Sequence, residues 1–230
     1  MLRRVEPELL DTLSPDDPRA VHSRRDLRRI NGMMRNDDIM VNALKANFSG
    51  VPKEITELGA GDGDFLLRIA RRMVPRWQHV KTTLLDLQKN VPRETLAEFS
   101  KLGWRPEVVV ADVFDRSQIV GDIVIANLFL HHFENERLAT LLALAAKQSE
   151  LFVAVEPRRG AWPLFCSRML WVIGCNDVTR HDAVVSVRAG FAGRELSALW
   201  PDRLNWELDE RAAGTFSHLF VARRKVQNEI

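Results

Sequence analysis

A chain of 230 residues is long enough for one α/β domain with a well-buried core, or for such a domain with a small appendage. Charged residues make up 28% and hydrophobic residues 46%, the balance of an ordinary folded protein. A net charge of +2 argues against a nucleic-acid partner, and two cysteines outside any CxxC pair, Cys166 and Cys175, argue against a metal centre.

The opening stretch, MLRRVEPELLDTLSPDD, turns acidic and proline-containing where a signal peptide would need an apolar run. The longest nearly apolar stretch, 161–174, contains Arg168 and is too short to span a bilayer, so no transmembrane segment is expected and a cytoplasmic location is the default. Residues 1 to about 20 read as a loosely packed lead-in. From His22 to Phe48 the apolar positions recur at helical intervals, first Leu27, Ile30, Met33 and Met34, then Ile39, Met40, Ala43 and Leu44. Arg24, Arg25, Arg28 and Arg29 mark the wet face. Residues 1–49 are thus expected to form a helical extension that packs on the core or also roofs a substrate pocket.

After Gly50, five short runs rich in β-branched residues, 54–58, 82–86, 107–111, 122–126 and 151–155, read as buried parallel strands. Segments 65–73, 93–101 and 135–148 suit the crossover helices between them. That rhythm predicts an α/β fold, an open sheet with helices on both faces. Residues 192–200 read as a last helix, stopped by Pro201. Two strand-like runs, 204–210 and 217–222, joined by a short Ala-Ala-Gly turn, predict a hairpin closing the sheet.

Glu57-Leu58-Gly59-Ala60-Gly61-Asp62-Gly63-Asp64 follows the first strand and opens a helix. Its glycines let the backbone turn sharply and approach a ligand, and the helix start adds unpaired N–H groups. A dinucleotide loop would carry a third glycine where Asp64 stands, and a phosphate would meet the charges of Glu57, Asp62 and Asp64. An ammonium- and sulfonium-bearing ligand without phosphate suits an acidic loop better. Asp86 ends the second strand, where a carboxylate can accept both hydroxyls of a ribose. Asp112 ends the third, within reach of an adenine amino group.

These residues resemble class I S-adenosylmethionine-dependent methyltransferases over about residues 50–223, with 224–230 left as a C-terminal tail. The resemblance implies a Rossmann-like open sheet of about seven strands with a C-terminal antiparallel hairpin, and S-adenosyl-L-methionine as cofactor. It places Glu57, Gly59, Ala60, Gly61 and Gly63 around the methionine part, Asp86 and Leu87 at the ribose, Asp112 and Val113 at the adenine, and Asn127 and Leu128 again at the methionine part.

The fourth strand runs into Asn127-Leu128-Phe129-Leu130-His131-His132-Phe133, a pattern similar to that of quinone and polyketide methyltransferases of the family. Either histidine could take a proton near neutrality, His132 being preferred because His131 lies closer to the strand end. His181 is a third candidate, in the insert after the fifth strand, and Arg188 is a further pocket candidate. The stretch 161–174 reads as a helix apolar on most sides, which must be buried against the core, a pocket or a second copy of the chain in a homodimer. The expected acceptor is a hydrophobic small molecule, O-methylated at a phenolic, quinol or polyketide-like hydroxyl. The alternatives are C-methylation of a similar ring, RNA or protein methylation, and a non-catalytic binding module. After Asn127 the Leu-Phe-Leu run lacks the Asn/Asp-Pro-Pro-aromatic loop of enzymes that methylate nucleic-acid amino groups.

Overall fold

Strands form where the β-branched runs lie, as β1 (Glu54–Leu58), β2 (Lys81–Asp86), β3 (Arg105–Val110), β4 (Ile123–Asn127), β5 (Leu151–Pro157), β6 (Trp206–Ala213) and β7 (Ser217–Arg224). The computed structural model describes residues 1–14, 16–74, 76–115 and 119–225, so 226–230 of the expected C-terminal tail lie outside the described residues. The seven strands make one sheet in the order β3-β2-β1-β4-β5-β7-β6. The first five are parallel, and β7 runs antiparallel between β5 and β6. The chain leaves β1 to one side for β2 and later returns on the other side for β4. The carboxyl ends of β1 and β4 therefore open a crevice, the place where open α/β sheets take ligands.

Helices are α1 (Leu9–Thr12), α2 (Pro18–Met34), α3 (Asn36–Asn47), α4 (Asp64–Met73), α5 (Arg93–Lys101), α6 (Asn135–Gln148), α7 (Ala161–Arg168), α8 (Asp177–Ala189) and α9 (Glu195–Leu199). The two-residue period of the strands sorts side chains to two cores. Ile125 and Val153 point to one face, against Leu44 of α3, Leu66 and Ile69 of α4, and Phe99 of α5. Val124 and Phe152 point to the other, against Leu138 and Leu142 of α6 and Leu196 of α9. Both faces are covered, which is why the central strands read as continuous apolar runs.

Several expectations change. The segment 22–48 is two helices, broken at Arg35, which takes the left-handed conformation at φ 53°. The first helix starts at Pro18, capped by Asp17, which accepts from the Arg19 N–H. The N-terminal lead-in is tied down. Arg3 donates to the carbonyls of Ala189, His131 and Phe133, and the Leu9 and Leu10 N–H groups donate to the Asp182 carboxylate. Its partners are polar and distant in sequence, so apolar periodicity could not show them.

The strands β4 and β5 reach one and two residues further than expected, which places Asn127 and Glu156 in the sheet. The final helix shrinks to α9, β6 begins at Trp206, and the hairpin turns at Gly214–Phe216. Residues 177–189, expected to open in a polar stretch, are one helix. Asn176 caps it by accepting from the Thr179 N–H, and its polar side chains Thr179 and Asp182 are buried in bonds to α2 and to the N-terminal segment. The burial expected for 161–174 does not occur. The stretch divides into α7 and a 3-10 turn, Leu170–Ile173, and Trp162 and Trp171 are 60% and 57% exposed. Only its inner side, with Pro163 and Ser167, finds protein to pack on. No helix among the described residues is long and apolar enough to cross a membrane.

Candidate cofactor and acceptor site

A cavity of about 420 Å³ opens beyond the carboxyl ends of β1 and β4. One side is polar and belongs to the sheet: Glu57, Gly59, Ala60, Asp62, Asn127 and Leu128. The opposite side is apolar, built from Leu27, Ile30 and Met34 of α2, Cys166 of α7, Leu170 after it, and Val187 of α8. Glu8, His131, His132 and Ser186 close a third, polar side, and no lysine or arginine among the described residues lines the cavity.

The loop after β1 is pinned to the neighbouring strand. Gly59 and Ala60 donate their N–H groups to the Leu85 carbonyl at 2.9 and 3.1 Å, and the Gly61 N–H donates to Asp86 Oδ2 at 2.9 Å. Gly59 and Gly61 both sit at positive φ, 66° and 55°, but for different neighbours. A Cβ at Gly59 would stand 2.2 Å from the Phe129 ring, whereas a Cβ at Gly61 would meet nothing within 4 Å. The first glycine admits a side chain of the protein; the second keeps open space above the loop.

Glu57 is only 2% exposed, and its Oε2 has no partner among the described residues. Burial, then the nearby charge of Asp62, pushes its pKa well above the carboxylate range. A buried acceptor without a donor, flanked by further carboxylates and bordering a cavity, is a seat for a cationic group. The residues present therefore fit a ligand with an ammonium and a sulfonium.

Asp86 accepts from the Gly61 N–H through one oxygen and from the Gln88 N–H through the other, which fixes its carboxylate at the rim of the loop. Leu87 beside it is largely exposed, Asp112 accepts from the Phe114 N–H, and Val113 is buried. Gly63, Asp86, Leu87, Asp112 and Val113 lie at or beyond the carboxyl ends of β1, β2 and β3, outside the lining of the cavity. Asn127 Oδ1 accepts from Asn36 of α3 at 2.9 Å, and the Leu128 N–H donates to the Val155 carbonyl.

Leu128 takes φ 52°, a costly conformation for a branched residue, and Glu156 at the end of β5 holds it there. The fully buried Glu156 carboxylate accepts from the N–H groups of Phe129, Leu130 and His131 and contacts His131 Nδ1 at 2.9 Å. On the other side of the ring, His131 Nε2 faces Glu8 at 3.6 Å, and Glu8 also accepts from the Ser186 hydroxyl. Burial opposes charge on His131, but the two carboxylates together outweigh it and raise its pKa to about 9. At neutral pH His131 is an imidazolium with both nitrogens engaged, and so offers no lone pair to an acceptor.

The His132 ring lies against it, tilted by 33° with ring centroids 4.2 Å apart. Loss of water around the ring, then repulsion from the His131 charge, lowers its pKa to about 4, although the residue keeps an exposed side. It is neutral at pH 7 and lines the cavity. His181 does not line it; the ring is half exposed and paired with Asp182 at 3.0 Å. Arg188 is likewise outside the lining. Donor atoms of Glu8, His131 and His132 lie within 4.8 Å of one another, a spacing open to a metal ion. An ion there would have to displace the proton that two carboxylates hold on His131.

Sequence reasoning missed Glu8 and the clamping role of Glu156. Glu8 meets Ser186 across 178 residues, and no spacing or periodicity links them.

No family model matches the sequence, and no curated protein matches it. Solved structures do share its fold. The chain is similar to the plantazolicin methyltransferase BpumL in complex with SAH, at 13% identity and a TM-score of 0.64, over 91% of this chain and 92% of that one. It is similar to an O-methyltransferase family protein from Burkholderia thailandensis at 17% identity and a TM-score of 0.62, over 93% of this chain and 62% of that one. A third likeness, to the S-adenosylmethionine-dependent methyltransferase SibL, has 15% identity and a TM-score of 0.65, over 96% and 63%. The chain thus spans less than two thirds of the length of the last two. At these identities the shared feature is the fold, a Rossmann-like sheet with a C-terminal antiparallel hairpin.

Proposed function

We propose that the chain binds S-adenosyl-L-methionine at the 57–63 loop and transfers its methyl group to a hydrophobic small molecule, by O-methylation of a phenolic, quinol or polyketide-like hydroxyl. The observation that carries the reading is the unpartnered Glu57 Oε2 on a cavity whose opposite wall is apolar. The fold likeness to methyltransferases, among them one in complex with SAH, supports it.

When bound, the cofactor supplies an electrophilic methyl group. Glu57, Gly59, Ala60, Gly61 and Gly63 would hold its methionine part with Asn127 and Leu128, Asp86 and Leu87 its ribose, and Asp112 and Val113 its adenine. Residues 1–49 supply part of the roof: Leu27, Ile30 and Met34 keep water from the acceptor, and the acceptor's proton goes to a ring nitrogen of His132. The charge of His131 on the wall is matched by Glu8 and Glu156, and no lysine or arginine among the described residues lines the cavity, so the acceptor half disfavours carboxylates and phosphates and suits a neutral phenol.

Calorimetry should find binding of S-adenosylmethionine or its demethylated product and little binding of NAD; preference for NAD sinks the assignment. Protons should move as well. Burial raises the pKa of Glu57 in the free protein, and an ammonium beside it lowers it again by favouring the carboxylate. Binding then releases a proton, and affinity weakens as pH falls below that raised pKa. The measured enthalpy should change with the ionisation enthalpy of the buffer, and Glu57→Gln should abolish that dependence. Buffer-independent heats in the unmodified protein would exclude Glu57 as the cationic seat.

Asp86→Ala removes the acceptor assigned to the ribose and should weaken cofactor binding by roughly 1–3 kcal/mol. The same variant frees the Gly61 N–H, so its melting curve must accompany the titration. An unchanged dissociation constant in a folded variant would take Asp86 out of the site.

A further inference from the structure

The outer side of the lid over the acceptor chamber has no role in the chemistry above. Pro163, Cys166, Ser167 and Leu170 face the cavity. Trp162, Phe165, Met169, Trp171, Val172 and Ile173 face out, all exposed, with the Trp162 and Phe165 rings stacked on each other at 5.6 Å. Twelve residues of chain thus carry six large apolar side chains on the surface, far more than the scattered single ones a surface tolerates. Packing does not explain them.

The surroundings of this patch carry positive charge. Arg168 is exposed within the segment itself. The Arg29 guanidinium of α2 reaches the Ile173 carbonyl at 3.5 Å, which sets α2 beside the 3-10 turn. Arg25, one turn earlier on the same stripe, and Arg28 are exposed and make no ion pair among the described residues. Met33, 63% exposed at the end of α2, extends the apolar surface to the cavity, which it also lines. Asp177, at the start of α8, is an exposed acid, and Arg180, also exposed, stands three residues after it. Asp26 is buried, held by Arg29 and the Asn176 N–H.

We infer that this face docks on an anionic lipid surface. Tryptophan rings with an apolar body and a polar edge settle at the level of lipid headgroups, and unpaired arginines beside them meet anionic headgroups. A second copy of the chain would bring like-charged arginine rims together, which disfavours self-association through the same patch. The lid's inner side is the acceptor wall, so docking sets the chamber mouth against the phase in which a hydrophobic acceptor dissolves. That last step rests on the methyl-transfer reading; the docking itself does not.

The test is co-sedimentation of the full chain with phosphatidylcholine vesicles, without and with about one-third phosphatidylglycerol. The protein should partition onto the anionic vesicles and much less onto the neutral ones, and added salt should release it. Arg25→Gln and Arg28→Gln should each lower partitioning about fivefold at low salt, about 1 kcal/mol per arginine near a charged surface. Trp162→Ser with Trp171→Ser should lower it by roughly tenfold or more, with melting curve and cofactor affinity unchanged because neither ring lines the cavity. Failure to bind anionic vesicles overturns the proposal. So does a dimer of the unmodified chain that the two tryptophan substitutions convert to monomer, since the patch would then be a self-interface. None of these readings needs turnover, so they stand or fall apart from the proposed activity.

Discussion

Glu156→Leu should lower stability by about 3–5 kcal/mol at neutral pH, the usual penalty when one partner of a buried charge pair is removed. The carboxylate accepts three successive N–H groups and contacts the His131 imidazolium, so its loss strands four donors at once. Glu156→Gln separates charge from shape, because an amide oxygen can still accept from Phe129 and Leu130. The charge has a pH signature. His131 has a folded pKa of about 9 against an ordinary value of 6.5, so its stabilisation is fully present below about pH 6.5 and is lost as pH rises through 9. That shift corresponds to about 3 kcal/mol. His132, shifted the other way, takes stability away as pH falls from 6.5 towards 4, by less because water reaches its ring. Urea unfolding across pH should show this pair's contribution greatest near pH 6.5, with the alkaline limb flattened in Glu156→Gln. Equal stability of Glu156→Leu and the unmodified protein at pH 6.5 would remove the clamp from the account.

The same residue shows what could be read in the sequence and what could not. The strands were legible because a strand covered on both faces must be apolar throughout, as Ile123–Ala126 and Leu151–Val155 are. The loop after β1 was legible because glycines at fixed spacing have few other uses. The histidine pair was visible as residues, but its chemistry was not. Which of two adjacent imidazoles keeps a proton depends on Glu8 and Glu156, placed beside His131 only by the fold. The exposure of Trp162 and Trp171 was hidden for a related reason: a pattern reports that a segment is apolar, not whether anything covers it. Helix α8 escaped because its polar side chains Thr179 and Asp182 are used inward.

His132→Gln should depress turnover of a hydrophobic phenol or quinol by roughly a hundredfold, the lower end of what a general base contributes. The lower end is expected because a base whose conjugate acid has a pKa of about 4 pulls only weakly on a phenolic proton. Its advantage as the proposed base is availability: beside the charged His131 it stays neutral across the physiological range, on the wall of the cavity. Cofactor affinity should be nearly unchanged, since Glu57 and the loop do not depend on it. The pH profile distinguishes a base from a packing residue. On the proposed reading, the acid limb of kcat/KM in the unmodified protein should fall well below pH 6.5, near the depressed value of His132. His131→Gln removes the neighbouring charge, so the limb should move up towards 6.5, provided the melting curve shows the variant folded. The acceptor itself comes from a screen with labelled S-adenosylmethionine, with the methylated atom mapped in the product. Methyl on oxygen, with full activity in His132→Gln and an unmoved acid limb in His131→Gln, would keep O-transfer and discard the base. Methyl on ring carbon would displace O-transfer; the ring would then lose its own proton once the new carbon–carbon bond has formed, and His132 would be the group on the wall to take it.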